Sequence, residues 1–154
     1  MSGETTRTCY LPAARLAELY ELKTLSPVEV VKEALARIAD IDGHVNAYCL
    51  VDEEAALAAA KVSEDRWMKG EPHGLADGVP VSVKDIVLTK GHTVRRGSKT
   101  TPENAPDRFD CPAVGRLREN GAVIIGRTTT PEYGWKGLCD SPLTGITRNP
   151  WDTS

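Results

Sequence analysis

Residues 122–126 form a short apolar run, AVIIG, which restricts the folds open to this chain. The run lacks the alternation of polar and apolar residues that marks a strand with one face in water. A strand of this kind is typically buried on both faces of a sheet that helices cover. The sequence therefore predicts an α/β fold in which this run is an interior strand.

Three helices are predicted in the first half of the chain. The segments are LPAARLAELYELKTL, the segment that opens with SPVEVV, and EEAALAAAKVSEDRWMKG. Ser26, Pro27 and Glu29 have the order of an N-cap, a first-turn proline and the glutamate of a capping box. We expect this second helix to end near Ile41, where the sequence DGH interrupts it.

The rest of the chain is predicted to alternate between strands, loops and one more helix. VNAYCLVD and VPVSVKDIVL are strand candidates, and Asp110 is expected to cap a helix through Leu117. The segment from Thr89 to Arg108 is a long irregular loop, and loops of that length are more often functional than incidental. From TTTPEYGWKG onward we expect loop with at most one helical turn.

Composition and charge exclude several classes of protein. The formal net charge is −3, so the chain has no electrostatic footprint for nucleic acid, and it is neither highly charged nor apolar overall. No apolar run approaches the ~20 residues of a membrane helix, and MSGETTRTCY has no signal-peptide core. The cysteines are scattered without Cys-x-x-Cys spacing, which predicts reduced thiols in a cytoplasmic protein. We also expect no membrane partner. They are Cys9, Cys49, Cys111 and Cys139.

Three other patterns are weak evidence for function. GAVIIGRT approaches a phosphate-binding P-loop, but a P-loop follows its strand, whereas residues 122–125 are themselves the predicted strand. The histidines His44, His73 and His92 sit beside glycine in predicted loops without the spacing of metal ligands. The carboxylates of KTTPENAPDRFD are interpreted as a solvated loop. Neither nucleotide binding nor a histidine-based triad is predicted.

Lys84 is unusual because it interrupts a run of β-branched residues in VPVSVKDIVL. Side chains alternate along a strand, so Asp85 shares one face with Val79, Val81 and Val83, and Lys84 lies on the other. We therefore expect Asp85 to point away from Lys84, which leaves the lysine without its obvious ion-pair partner.

Two interpretations of Lys84 follow from the residues alone. In the first, which the residues favour, Lys84 ends the strand at the surface with its ammonium group in water. In the second, its side chain is buried without a carboxylate partner. Burial disfavours the charged form of a lysine, and a neutral amine can act as a general base on a serine hydroxyl without a histidine.

Three longer segments resemble the amidase signature family. They are GVPVSVKDIVLTKGHTVRRGS, CPAVGRLRENGAVIIGRTTTPEYGWKG and DSPLTGITRNPWD, in the order and at the spacing of that family. The resemblance implies N-terminal helices followed by a mixed β-sheet core and a Ser–cis-Ser–Lys triad. Lys84 stands in the place of the triad lysine. Gly134 and Trp135 match a segment that lines the acyl side of the substrate pocket in this family.

The resemblance also identifies departures. GRTT, residues 126–129, stands where the family usually reads Gly-Lys-Thr-Asn, a change expected to affect local packing and hydrogen bonding. The family's cis serine and nucleophile are expected after Ser154, so Ser154, Ser82 and Ser98 are assigned no triad role. We therefore expect residues 1–154 to be the N-terminal portion of a single amidase signature domain, with a helical segment at about 11–70 and an incomplete sheet core at about 78–154.

The expected reaction is hydrolysis of a small-molecule amide to an acid and ammonia or an amine, with no metal or organic cofactor. Two alternatives remain open: a protein that releases ammonia for transamidation of charged tRNA together with partner subunits, and a non-catalytic module of the same fold. Produced alone, residues 1–154 are expected to be inactive and to self-associate through unpaired strand edges, with a homodimer among the outcomes.

Overall fold

The structure, a computed structural model, describes residues 7–153. Its helices are α1 (Ala13–Glu21), α2 (Pro27–Val45), α3 (Glu53–Lys69) and α4 (Pro112–Glu119). Its strands are β1 (Tyr48–Val51), β2 (Pro80–Lys84), β3 (Val123–Thr128), β4 (Asp140–Ser141) and β5 (Gly145–Ile146). The predicted α/β class, with helices before the main sheet strands, is confirmed.

The start of α2 follows from local hydrogen bonding. The Ser26 hydroxyl accepts a hydrogen bond from the amide of Val28 at 3.0 Å, and the Glu29 carboxylate accepts one from the amide of Ser26 at 2.8 Å. These reciprocal bonds satisfy backbone donors that a helix N-terminus otherwise leaves free. The predicted capping box is therefore confirmed.

The predicted end of α2 is wrong. The helix continues past Ile41 to Val45, so His44 lies in its last turn and not in a loop. A glycine such as Gly43 costs a helix only about 1 kcal/mol, so it does not by itself end one. The chain leaves the helix at Asn46, whose φ of 54° is a conformation that asparagine adopts at helix C-termini.

The main sheet has the strand order β1–β3–β2, which confirms β3 as the interior strand. β1 runs antiparallel to β3. The amide of Val123 donates to the carbonyl of Val79, and the amide of Asp85 donates to the carbonyl of Thr128, each at 2.9 Å. Because these two bonds advance in the same direction along both strands, β2 is parallel to β3 and the sheet is mixed.

The strand predicted from VPVSVKDIVL is shorter than expected, since β2 ends at Lys84. The amide of Val87 donates to the carbonyl of Lys84 at 2.9 Å, which closes a turn directly after the strand. No helix or named strand occurs between Thr89 and Arg108, as predicted. The hairpin of β4 and β5 was not predicted.

The chain divides into two compact units, each assembled from three segments. Of the described residues, unit 1 contains 7–37, 53–81 and 117–125, and unit 2 contains 38–52, 82–116 and 126–153. A buried cluster of Leu16, Tyr20 and Val30 lies in unit 1. The Tyr20 ring lies 5.8 Å from that of Trp67, and its hydroxyl donates to the carbonyl of Gly78 at 3.3 Å.

Candidate active site

Lys84, the last residue of β2, lies on the exposed face of the strand. Val83 and Asp85 are 5% and 2% exposed, whereas Ser82 and Lys84 are exposed. The predicted alternation is confirmed, and Asp85 points away from Lys84. Residues 7–153 form no ion pair with the Lys84 ammonium group and do not bury it. Within the described chain, Lys84 therefore matches the surface interpretation.

Asp85 connects the end of β2 to the long loop and to β3. Its carboxylate accepts hydrogen bonds from Arg127 Nε at 3.1 Å, from the amide of Arg95 at 3.2 Å and from the amide of Gly97 at 3.4 Å. Its carbonyl accepts one from the amide of Arg96 at 3.0 Å. The residue after the candidate base therefore fixes the backbone of the loop that follows.

Arg127 of β3 fills the buried space beneath the same turn, with only 1% of its surface exposed. Nη1 donates to the hydroxyl of Thr89 at 2.8 Å. Nη2 donates to the carbonyl of Lys84 at 3.3 Å and to that of Val87 at 3.0 Å. The guanidinium thus binds the backbone on both sides of the turn that follows Lys84.

The structure brings Gly134 close to this turn. The amide of Tyr133 donates to the carbonyl of Arg96 at 2.8 Å, and Tyr133 and Gly134 have φ values of 51° and 71°. A Cβ atom at Gly134 would lie 2.5 Å from Cδ1 of Ile86, two residues beyond Lys84. The close approach and the left-handed backbone both favour glycine at this position.

Trp135 follows and is 74% exposed. The Lys136 ammonium lies 5.5 Å from the centroid of the indole and 2.5 Å from Asp140 Oδ1. Trp135, Lys136 and Ile146 are among the residues that line an open groove of about 360 Å³. The predicted substrate-binding segment therefore presents an apolar side chain at a surface groove.

The serines of the chain differ in their environments. Ser98 is fully buried, donates to Glu132 Oε1 at 2.6 Å and accepts a hydrogen bond from the amide of Thr100. Ser82 is exposed on the same face of β2 as Lys84. Ser154 lies outside the described residues. The Ser98 hydroxyl is committed to a loop-stabilising hydrogen bond, which agrees with leaving it out of a triad.

A second cavity, of about 540 Å³, lies within unit 2 and includes Cys49, His92, Arg95 and Glu103 in its lining. Burial of the Cys49 thiol raises its pKa to about 11, although the residue as a whole is partly open to solvent. The thiol therefore stays protonated at neutral pH. All four cysteines are free, as predicted. Across residues 7–153, no group of three or more His, Cys, Asp and Glu side chains could hold a metal ion.

Reasoning from the sequence placed Lys84 correctly on its strand but missed the buried pair formed by Asp85 and Arg127. The available signal was an arginine inside the apolar strand β3, where an unpaired charge would be costly. Such an arginine requires a buried acid, and Asp85 on the buried face of β2 was the available partner.

Lys84 is an exposed lysine at the end of a parallel strand. The buried Asp85–Arg127 pair holds the turn that follows it, and Gly134 approaches Ile86 of that turn. Together these features define a candidate site in a mixed α/β chain. The sequence model of the family described as Amidase matches residues 29–154. A glutamyl-tRNA(Gln) amidotransferase subunit of Salinispora tropica is 41% identical over 142 residues, which are 92% of this chain and 29% of that protein.

Solved structures similar to this chain are also amidases. A bacterial aryl acylamidase of the amidase signature family has a TM-score of 0.87 at 29% identity, over 94% of this chain and 30% of that one. The peptide amidase of Stenotrophomonas maltophilia has a TM-score of 0.84 at 26% identity, over 94% and 31% of the two chains.

The chain belongs to the amidase signature family, which confirms the resemblance found in its sequence. It spans less than a third of the length of these relatives. Within residues 7–153, no helix is both long and apolar enough to span a membrane.

Proposed function

We propose that the full-length protein hydrolyses a carboxylic amide and that Lys84 is the base of its Ser–cis-Ser–Lys triad. The observation that carries this proposal is the position of Lys84 within the family match, at the end of β2 and facing away from the buried Asp85. The two serines would come from residues beyond 154 and would cover the ammonium group.

The roles of Gly134 and Trp135 extend the same proposal. Gly134 approaches Ile86 in the turn after Lys84, and the exposed indole of Trp135 lies beside it in sequence. We assign the Gly134 backbone to one wall of the acyl pocket and Trp135 to an apolar contact with the substrate.

Kinetics of the full-length protein on a panel of primary and aryl amides test the base. Lys84→Ala should reduce turnover by about 10²–10⁴-fold, because a general base typically contributes this much. Lys84→Arg should be nearly as damaging, since a guanidinium is not deprotonated near neutral pH. Lys99→Ala, on an exposed lysine of the same unit, is the matched control and should retain activity. Turnover by Lys84→Arg within a few-fold of wild type would refute the assignment.

A second candidate function is ammonia release for tRNA transamidation, which the name of the Salinispora tropica relative favours. In that case the same Lys84 chemistry would act on a glutamine or asparagine amide, and partner subunits would be required. Incubation with the amide donor, charged tRNA and candidate partner subunits separates the two. Free ammonia without tRNA supports the amidase, and ammonia that appears only as amidated aminoacyl-tRNA supports the transamidation role.

The third interpretation is a non-catalytic module. It predicts that the full-length protein shows neither amide turnover nor labelling by a serine-directed fluorophosphonate. Residues 1–154 alone are expected to show neither, because Lys84 can accept a proton only from a nucleophile within hydrogen-bond reach. Stoichiometric labelling of Ser82 or Ser98 in the isolated chain, with matching turnover, would show that another serine acts.

A further inference from the structure

We infer that Arg127 is a positioning residue that holds the backbone of the turn after β2 and thereby fixes Lys84 for proton transfer. The inference rests on the proposed role of Lys84 as the base. Arg127 does not reach the exposed face of β2, so it acts through the backbone.

The hydrogen bonds of Arg127 carry the inference. Its side chain makes four, and two of them go to main-chain carbonyls, those of Lys84 and Val87. These carbonyls stand at the two ends of the turn that the Val87 amide closes by its bond to Lys84. The guanidinium therefore spans the turn. Because it binds the Lys84 carbonyl directly, no other side chain lies between Arg127 and the Lys84 peptide.

The energetic cost of burying the Asp85–Arg127 ion pair also supports a positioning role for Arg127. Replacing a buried ion pair by apolar residues is often neutral or stabilising, so stability alone does not require a charged residue here. Val123 and Ile125 show that the neighbouring buried positions of β3 accept apolar side chains. What an apolar residue at position 127 would lack is a planar set of donors that reaches several carbonyls at fixed angles.

The test is a set of variants in the full-length protein, measured by kcat, by KM and by hydrogen exchange of the Val87 amide. Arg127→Met keeps the length of the side chain but removes every donor. We expect kcat to fall about 10²-fold, because small misplacements of a catalytic group have effects of this size. KM should stay within about threefold. Arg127→Lys keeps the charge but loses the planar set of donors, so its kcat should lie between those of Arg127→Met and wild type.

The matched control is Arg66→Met in unit 1. Arg66 also pairs with a buried aspartate, Asp77, but its side-chain bonds go to that carboxylate and not to the turn after β2. This variant should lower the unfolding midpoint without changing kcat or the exchange of Val87 under conditions where it is folded. Equal losses of kcat in the two methionine variants would overturn the inference, as would Arg127→Met with kcat within threefold of wild type.

A milder variant keeps the test decisive if Arg127→Met does not fold. Thr89→Val preserves the shape of Thr89 but removes the hydroxyl that accepts from Arg127 Nη1 and itself donates to the Val87 carbonyl at 3.1 Å, so it loosens the hydrogen-bonded group that holds the turn. We expect about a tenfold loss of kcat and faster exchange of Val87. Ser63→Ala, which removes a hydroxyl bonded to Asp77, is its control and should change neither. Unchanged exchange and kcat in Thr89→Val would overturn the inference.

Lys84→Ala separates a failure of this inference from a failure of the proposed function. If Lys84→Ala keeps wild-type turnover, the base assignment is wrong, and the role of Arg127 is then judged by the exchange of Val87 alone. Faster exchange in Arg127→Met than in Arg66→Met supports a restrained turn, and equal exchange overturns it.

Discussion

The two units each contain a buried aspartate paired with an arginine, and the two pairs differ in what the arginine binds. In unit 1, Arg66 binds Asp77 through both Nε and Nη2, and 18% of its side chain remains exposed. In unit 2, Arg127 gives one bond to Asp85 and the others to Thr89 and the backbone, with 1% of its side chain exposed.

The Asp77–Arg66 pair therefore connects a helix to a loop, whereas the Asp85–Arg127 pair binds the backbone of a turn. Asp77 also accepts from the Ser63 hydroxyl at 2.6 Å and from the amide of His73 at 2.8 Å, so it ties α3 to the loop before β2. Asp85 and Arg127 instead organise the backbone beside the candidate base. Pairs of the same residue types can therefore differ in whether the arginine binds its carboxylate alone or also binds the backbone of a turn.

The largest expected effect comes from removing each aspartate. Asp85→Ala leaves Arg127 buried without its carboxylate, which should lower the free energy of unfolding by about 3–5 kcal/mol. Asp77→Ala should cost about 1–3 kcal/mol, because the partly exposed Arg66 can turn to water while the Ser63 and His73 donors lose an acceptor. Urea unfolding at neutral pH measures both. If Asp77→Ala lowers the free energy of unfolding more than Asp85→Ala does, the solvent exposure of Arg66 does not reduce the cost of losing its carboxylate partner.

A smaller effect is expected from the glycine beside each pair. Gly121 has a φ of 79°, and a Cβ atom there would lie 2.5 Å from Cγ of Asp77. Gly97 has a φ of 64°, and its Cβ would lie 2.5 Å from the carbonyl oxygen of Thr130. Alanine at either position should cost about 1–3 kcal/mol by strain and crowding. Only Gly97→Ala should also lower kcat, because the Gly97 amide donates to Asp85.

Two other glycines are controls for backbone strain alone. Gly70 and Gly91 have φ values of 76° and 84°, and a Cβ atom at either would meet nothing within 4 Å. Gly70→Ala in unit 1 and Gly91→Ala in unit 2 should therefore be less damaging than Gly121→Ala and Gly97→Ala. A loss of kcat in Gly121→Ala equal to that in Gly97→Ala would remove the distinction between the two pairs.

The smallest expected effect is on the pH dependence of stability. Burial alone would raise the pKa of Asp77, but the hydrogen bonds from Arg66 and Ser63 outweigh burial and hold that pKa below its ordinary value. The folded state therefore favours the ionised carboxylate. Its stabilisation is present above about pH 4, the usual value for aspartate, and is lost as the pH falls through the folded pKa.

Asp77→Asn should accordingly lose less stability than wild type between neutral pH and about pH 3. The urea midpoint at a series of pH values measures this difference. Glu71→Gln, on an exposed loop residue of the same unit, is the control and should follow the wild-type curve. A wild-type slope in Asp77→Asn would mean that other carboxylates carry the acid sensitivity of unit 1.

Much of the fold could be predicted because its signals are local. The capping box at Ser26 and the acidic start of α3 are formed by neighbouring residues, and both elements begin where predicted. The end of α2 and the end of β2 were misplaced: α2 continues through Gly43 to Val45, and β2 ends at Lys84. The turn after β2 is held by Arg127, more than forty residues from Lys84, which binds the carbonyls of Lys84 and Val87.

The sequence by itself determined the α/β class, the interior position of β3, the family and the face of β2 on which Lys84 lies. These follow from periodicity and from motifs that are contiguous in the chain. Only the tertiary structure decided that Asp85 pairs with Arg127, that Gly134 approaches Ile86, and that Lys84 is exposed within residues 7–153. Hydrogen-bond partners and burial depend on which distant segments meet, and the order of residues along a strand does not specify that.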